Sequence, residues 1–420
     1  HDQFVQVSLR ERIDVDREEF IHCLAQVRRH RRHDAQHIKQ TFEVVAAIGK
    51  VNRNSSVPYA AGVTATIDQD RLKAYSFLLF TKLEGAVTSG MVHLGDRLGL
   101  YGAMVDADGP VTSDELARRA GFDERWVREW LRNQAAANLV TYDGDGRFSL
   151  APEAAAVLVD RNHPAYGMGM FSRLPQTMAH LELLPQSFQT GMGFDYDSHG
   201  PEGAAGIERS FEPWYRNFLV SVGLPSLDGV VDKLQTGAVA ADVGCGAGVA
   251  VCLMAEAFPH SEFHGYDISR HALDRANARK DRLGLTNAQF HDVRDGGLPS
   301  DGSLDLVTTF DCIHDMTHPQ EMMHAIRASL DDAGTWLLVD IKARETFEEN
   351  MEKNPMAALM YGVSIMSCMA SALSEPGGAG LGTLGFPEST ARRMSESAGF
   401  SRFHKLDIDH AINSFFEVRP

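Results

Sequence analysis

The sequence has few cysteines, no long apolar run and no excess of positive charge. Its five cysteines form no Cys-x-x-Cys pair and no spacing typical of metal ligands, so we predict neither a disulfide framework nor a metal site. Their scattered, odd number fits a reducing compartment. No apolar run approaches the roughly 18 residues that a membrane-spanning helix needs. The cysteines are Cys23, Cys245, Cys252, Cys312 and Cys368.

The charge balance argues against a polyanion as the main partner. The formal net charge is −17 over 420 residues, whereas nucleic-acid binding needs a basic surface. The first 30 residues are charged throughout and lack the apolar core of a signal peptide, so we expect a cytoplasmic protein. A chain of this length predicts two or three domains.

The most informative stretch is residues 239–248, a short apolar run that ends in an acid and three alternating glycines. Val239 to Val243 have the composition of a buried strand, and an apolar run from Val249 to Phe258 predicts a helix. Glycines between a strand and a helix allow a tight turn that a ligand can approach closely. This pattern predicts the first unit of a nucleotide-binding α/β sheet.

The glycine spacing excludes a dinucleotide fingerprint, because Val249 stands where G-x-G-x-x-G/A needs its last small residue. The D-x-G-x-G-x-G pattern resembles the first motif of the class I S-adenosylmethionine-dependent methyltransferases. The resemblance implies that Asp242 faces the cationic part of the donor. It also implies that the turn makes room for the methionyl chain; the turn residues are Gly244, Cys245, Gly246 and Gly248.

Two further predicted strands end in acids at the family's spacing. Residues 261–267 end in Asp267, which is placed to bind the ribose hydroxyls, and residues 287–292 end in Asp292. The resemblance implies that Asp292 and Val293 contact the adenine ring. The remaining donor-site residues that it implies are Ile268, Phe310 and Asp311.

The rest of residues 210–420 completes the pattern. Strands are predicted at 303–310 and 334–340, and a closing hairpin at 400–406 and 412–418. The predicted fold class is α/β, a Rossmann-like seven-stranded methyltransferase sheet whose last strand is antiparallel. A mainly α winged-helix domain precedes it.

Residues 75–160 predict that winged helix. Helices are expected at 74–83 and 90–101, and the capping box at 112–115 and a cap at Asp123 open two more. Trp126, Trp130 and Leu131 are expected on one face of the last helix, and residues 143–146 give a hairpin signal. The segment has eight basic and thirteen acidic side chains, so DNA binding is disfavoured. The resemblance implies a homodimerisation domain that helps to cover the acceptor site.

The predicted domains are an N-terminal helical extension at 1–65, the winged-helix domain at 66–165, a helical linker at 166–235 and the catalytic domain at 236–420 with an insert at about 345–385. His33 and His37 share a helix face in the extension, where a solvated face is favoured over a metal site. Residues 52–58 are interpreted as a linker.

The acceptor is expected at the carboxyl end of the fourth catalytic strand. His314 and Asp315 follow that strand, and the pair resembles the His-Asp of many small-molecule O-methyltransferases. His318 is a second candidate base. The methionines of residues 345–373 predict either core packing or an apolar pocket, and Tyr215 and Arg216 are candidates for the methionyl carboxylate.

The sequence thus predicts a methyltransferase that uses S-adenosylmethionine, yields S-adenosylhomocysteine and methylates a small, fairly apolar molecule, with O-methylation favoured. The partners expected are that acceptor and a second copy of the chain, without nucleic acid or membrane. Two alternatives stay open: a winged-helix transcription regulator that senses S-adenosylmethionine, and a catalytically silent methyltransferase-like protein. The identity of the acceptor and of the general base is left open.

Overall fold

The computed structural model describes residues 56–59 and 63–420. The chain divides into two compact units, residues 1–86 and residues 87–420. Most of the predicted N-terminal extension, with His33 and His37, lies outside the described residues.

The first unit contains a hairpin and the start of a long helix. Strands β1 (Ser56–Tyr59) and β2 (Val63–Thr66) pair antiparallel, so part of the predicted linker is a strand. Helix α1 runs from Gln69 to Arg97 without a break, and joins two helices that were predicted separately. No proline interrupts residues 84–89, so the helix continues through them. It stops before Gly99, whose φ is +68°.

The next elements form the predicted winged helix. They are α2 (Leu100–Val105), α3 (Ser113–Ala120), α4 (Glu124–Ala136), β3 (Thr141–Tyr142), β4 (Phe148–Ser149) and α5 (Pro152–Leu158). The Thr112–Glu115 capping box and the Asp123 cap are both present, as predicted. Trp130 and Leu131 are buried in the core of this domain. Trp126, in the first turn of α4, is 80% exposed, so the face predicted to carry the three residues is buried only at Trp130 and Leu131.

Helix α4 would be the DNA-reading helix of such a domain, but its arginines are engaged with glutamates of the same helix. Arg128 lies 3.5 Å from Glu124, and both Arg125 and Arg132 pair with Glu129. These pairs neutralise the face that would have to meet phosphates.

Short helices connect the winged helix to the sheet. They are α6 (Met168–Ser172), α7 (Leu174–Ala179), α8 (Leu184–Thr190), α9 (Gly200–Trp214), a π-helical segment (Tyr215–Gly223) and α10 (Val230–Thr236). A 3₁₀ turn at Tyr196–His199 precedes α9.

The catalytic half is built on the seven-stranded sheet predicted from the sequence. Its strands are β5 (Val239–Val243), β6 (Glu262–Asp267), β7 (Ala288–Asp292), β8 (Leu304–Phe310), β9 (Leu330–Ile341), β10 (Arg402–Lys405) and β11 (Asn413–Arg419). The order is β10-β11-β9-β8-β5-β6-β7. Strands β5 to β9 pair in parallel, whereas β11 runs antiparallel to β9 and to β10.

Helices cover both faces of this sheet, which is why its strands are buried runs rather than alternating ones. They are α11 (Val249–Ala257), α12 (Arg270–Leu283), α13 (Pro319–Ser329), α14 (Phe347–Lys353), α15 (Ala357–Met366), α16 (Cys368–Ala372) and α17 (Glu388–Ser397). One core packs Met254 against Phe263, and the other packs Met323 against Trp336. Of the helices that the structure describes, none has the length and apolar character to cross a membrane.

Candidate functional site

The glycine turn between β5 and α11 has the backbone that the sequence pattern implies. Gly244, Gly246 and Gly248 all have positive φ, at +72°, +53° and +69°. A Cβ at Gly244 would meet Cys312 at 2.7 Å, and one at Gly248 would meet Phe290 at 2.5 Å. A Cβ at Gly246 would meet nothing within 4 Å. The turn is therefore packed at both ends and open above Gly246.

Asp267 lies beside that open space. Its Oδ2 accepts the Gly246 N–H at 2.7 Å and its Oδ1 accepts the Ser269 N–H at 2.7 Å. Burial raises the pKa of this carboxyl although both backbone donors lower it. The structure thus holds the predicted ribose acid next to the glycine turn. The Ser269 side chain in turn caps α12 by accepting the Ala272 N–H.

Asp242 points into the sheet. Its side chain accepts the Thr308 hydroxyl of β8 at 2.7 Å, and the residue is 2% exposed. Burial raises the pKa of Asp242 to about 7. From this position, the Asp242 carboxylate can attract the cationic part of the donor only from within the sheet.

The predicted adenine residues lie at the end of β7, where Arg294 covers them. Its guanidinium donates to both oxygens of Asp292, at 2.8 and 2.7 Å, and to the Ile268 carbonyl at 2.8 Å. The paired hydrogen bonds from the Arg294 guanidinium lower the pKa of Asp292 to about 2. Asp197 of the 3₁₀ turn lies 3.8 Å from the same guanidinium and accepts the Arg270 N–H.

Phe310, Asp311 and Tyr215 meet next to the glycine turn. The Tyr215 and Phe310 ring centroids are 5.1 Å apart. Asp311 has a φ of +52° and accepts the side-chain amide of Asn413. Burial, and secondly Asp340, raises the pKa of Asp311 to about 7. Burial and then Asp242 raise the pKa of the Tyr215 phenol.

Arg216 is not brought to this site. It is exposed and its Nη2 lies 2.6 Å from Oε1 of Glu212, one helical turn earlier. Neighbouring positions of a helix point about 100° apart, so Tyr215 faces inward where Arg216 faces outward. Of the two residues predicted to contact the methionyl carboxylate, only Tyr215 therefore lies beside the glycine turn.

His314 lies in a 3₁₀ turn directly after β8, and its partner is Asp340 at the end of β9. The His314 Nδ1 and Asp340 Oδ1 atoms are 2.6 Å apart, and each side chain is 2% exposed. Burial lowers the pKa of His314, but Asp340 and secondly Cys368, which also hydrogen-bonds the ring, raise it, so the pKa lies well above the ordinary value. Sequence reasoning missed Asp340, although it is the last acid of a predicted strand, as Asp242, Asp267 and Asp292 are.

The other two predicted catalytic residues differ in their surroundings. Burial raises the pKa of the adjacent Asp315 to about 7, although His314 lowers it. His318 lies three residues further on, is 42% exposed and faces Glu375 at 3.5 Å. The structure therefore groups Asp315 with the buried pair and places His318 near the surface.

Two residues that the sequence did not indicate also belong to this region. The Tyr196 hydroxyl is buried, and first that burial, then Asp315 and Asp267, raise its pKa. Cys368, at the start of α16, lies beside His314 and Asp315. No local motif marks either residue, because they come from segments far apart in the chain.

The chemistry of the site fits S-adenosylmethionine. An open space lies above Gly246 with Asp267 beside it, and three further carboxyls whose pKa values burial raises lie in the same region. A ligand that carries a sulfonium and an ammonium stabilises the ionised forms of such carboxyls. The carboxyls are those of Asp242, Asp267, Asp311 and Asp315.

Comparisons with known proteins agree with this geometry. A family model described as a methyltransferase domain matches residues 234–383, and one described as an Rv2258c-like winged HTH domain matches residues 86–160. No curated protein matches the chain by sequence.

Solved structures share the fold over most of the chain. The mitomycin 7-O-methyltransferase MmcR is 18% identical, with a TM-score of 0.60 over 84% of this chain and 99% of that one. Human N-acetylserotonin methyltransferase in complex with S-adenosylmethionine is 16% identical, with a TM-score of 0.59 over 85% and 99%. The O-methyltransferase NcsB1 of neocarzinostatin biosynthesis is 16% identical, with a TM-score of 0.54 over 79% and 95%.

The family model and the seven-stranded sheet together define a methyltransferase domain that uses S-adenosylmethionine. A winged helix-turn-helix domain precedes this methyltransferase domain in the chain.

Proposed function

We propose that the enzyme methylates a hydroxyl group of a small, largely apolar molecule, and that His314 removes the proton of that hydroxyl. The His314–Asp340 pair is the observation that carries the proposal. Asp340 accepts from Nδ1 at 2.6 Å, so Nε2 is the nitrogen that acts on an acceptor, once its hydrogen bond with the Cys368 thiol is broken. A buried base oriented by a carboxylate is the arrangement that acid–base catalysis requires.

The donor residues proposed are the glycine turn and the surrounding acids. Bound S-adenosylmethionine supplies a methyl group on a sulfonium. Asp267 is placed to accept the ribose hydroxyls, and Asp242, Tyr215 and Asp311 border the turn from β5, the π-helical segment and β8. Asp292 and Val293 are the proposed adenine contacts, which requires Arg294 to leave the Asp292 carboxylate.

The acceptor class is inferred from the insert and from the related structures. Helices α14 to α16 follow β9, and their methionines include half-buried Met360 and Met366, which can adapt to an apolar ligand. The similar structures carry the names mitomycin 7-O-methyltransferase and N-acetylserotonin methyltransferase, and NcsB1 holds 2-hydroxy-5-methyl naphthoic acid. A ring-bearing hydroxyl compound is therefore the proposed acceptor.

Two measurements test the proposal. Calorimetry with S-adenosylhomocysteine should show binding, and a panel of phenolic compounds should include one that is methylated. His314→Gln should lower kcat/KM by roughly 100- to 10,000-fold and leave S-adenosylhomocysteine binding intact. His318→Gln is the matched control and should change the rate little. Equal losses in both variants, or no donor binding at all, would refute the proposal.

We also propose that the enzyme is a homodimer held together through α1. The first half of this helix exposes large apolar side chains on more than one face: Leu72, Tyr75, Phe77, Leu78, Leu79, Phe80 and Leu83. Large apolar side chains exposed together on a helix in this number indicate a surface that another surface covers. A second copy supplies the same surface and can cover it symmetrically.

A further inference from the structure

The end of β8 brings together three side chains that can ligate a metal ion. His314 and Asp315 lie in the turn after β8, and Cys368 opens α16 in the insert. One ligand atom from each lies within 4.8 Å of the other two. We propose that these three residues form a binding site for Zn²⁺ or a related divalent transition-metal cation.

The surroundings of His314 support this proposal independently. Asp340 takes up Nδ1, so the ring is fixed with Nε2 facing the Cys368 thiol, and a cation between the two would replace their hydrogen bond. Histidines that bind metals usually donate their other ring N–H to a carboxylate in this way. The second oxygen of Asp340 is buried and has no hydrogen-bond partner among the described residues. A nearby dication compensates a buried carboxylate of this kind.

The ligand types select the metal. A thiolate and an imidazole favour zinc and related transition cations, whereas magnesium and calcium prefer sites made of oxygen atoms. Three protein ligands leave the fourth position of a tetrahedral zinc site open, as in catalytic rather than structural sites. Water or the acceptor can fill that position.

The cation site occupies the same pocket as the proposed acceptor site, and its effect on catalysis rests on the proposed function of His314. A cation on Nε2 takes the lone pair that removes the acceptor proton. His314 can therefore either bind the cation or act as the base, but not both at once. Zn²⁺ should inhibit base-dependent methyl transfer until a chelator removes it.

The test uses the full chain after chelator treatment. Titration with Zn²⁺ against a chromophoric chelator should show one tight site per chain. Co²⁺ should give the thiolate-to-cobalt charge-transfer band in the near ultraviolet. Cys368→Ser should abolish the band, and Asp340→Asn should weaken Zn²⁺ binding by roughly 10- to 100-fold. Cys23→Ser is the control and should keep both signals, since Cys23 has histidines nearby in the sequence.

S-adenosylhomocysteine binding, measured on every variant, shows whether the catalytic domain has folded. Donor binding without a metal signal overturns the cation site and leaves the proposed methyltransferase function intact. A charge-transfer band that survives Cys368→Ser also overturns it. A metal signal without donor binding refutes the proposed function instead.

Discussion

Replacing Asp242 by asparagine should stabilise the enzyme, and the gain should grow with pH. Asp242 is buried in the sheet, and its carboxyl accepts the Thr308 hydroxyl, which an asparagine oxygen can also accept. Burial raises its pKa from the ordinary 3.8 to about 7. The folded protein therefore holds a proton on Asp242 at pH values where the unfolded chain has lost it.

The direction of the effect follows from proton linkage. Between pH 3.8 and about 7 the folded state binds more protons at this residue than the unfolded state, so stability is lost as the pH rises. A tenfold change in a protonation equilibrium corresponds to about 1.4 kcal/mol, so Asp242 costs about 4 kcal/mol of stability at pH 8 and about 1.5 kcal/mol at pH 5. An asparagine side chain never ionises and avoids this cost.

The assay is urea unfolding followed by circular dichroism at pH 5 and pH 8. The free energy of unfolding of Asp242→Asn should exceed that of the wild type at both pH values, with the larger excess at pH 8. Asp332→Asn is the control, because the Asp332 side chain is 98% exposed. A gain that is the same at both pH values, or a loss at pH 8, would refute the burial argument.

Three further outcomes are expected. Because Asp340 raises the pKa of His314, kcat/KM should rise with pH through the alkaline range, and Asp340→Asn should shift this rise toward neutral pH; a pH-rate profile of both proteins checks it. Gly246→Ala and Gly244→Ala both place an alanine at a left-handed φ, which costs about 1–2 kcal/mol. Gly246→Ala should still fold, since a Cβ there meets nothing, yet bind S-adenosylhomocysteine poorly, whereas Gly244→Ala should unfold at a lower temperature than Gly246→Ala because its Cβ also meets Cys312; calorimetry and thermal melts separate the two. Leu79→Glu should convert the dimer to a monomer in light scattering, while the already exposed Trp126→Glu should not.

The donor side of the site was predictable because its signals are local. A glycine turn or a strand-end acid occupies a few neighbouring residues, so the sequence placed Asp242, Asp267 and Asp292 at the ends of β5, β6 and β7. The seven-stranded sheet and the winged helix followed from the same kind of pattern, and both are confirmed.

The acceptor side was less predictable because its contacts join distant segments. Asp340 meets His314 only because β9 lies next to β8, and the insert brings Cys368 beside His314 and Asp315. No rule based on residue spacing could detect from the sequence that these side chains come together around His314. The exposure of Trp126 and of Arg216 was not predictable either, since a residue at the edge of a helical face can turn either way, and the local ion pairs and the limit of the core decide it.

The order of the strands also bears on how such an enzyme diversifies. Most of the acids proposed for the donor lie on β5, β6 and β7 and only Asp311 follows β8, whereas His314 and Asp340 lie at the ends of β8 and β9, with the insert attached after β9. In the proposed function, the residues that hold the coenzyme and those that meet the acceptor therefore come largely from different strands. Mutations in α14 to α16 should then alter the compound that is methylated while the coenzyme is retained, so new substrates become accessible through changes in one segment of the gene.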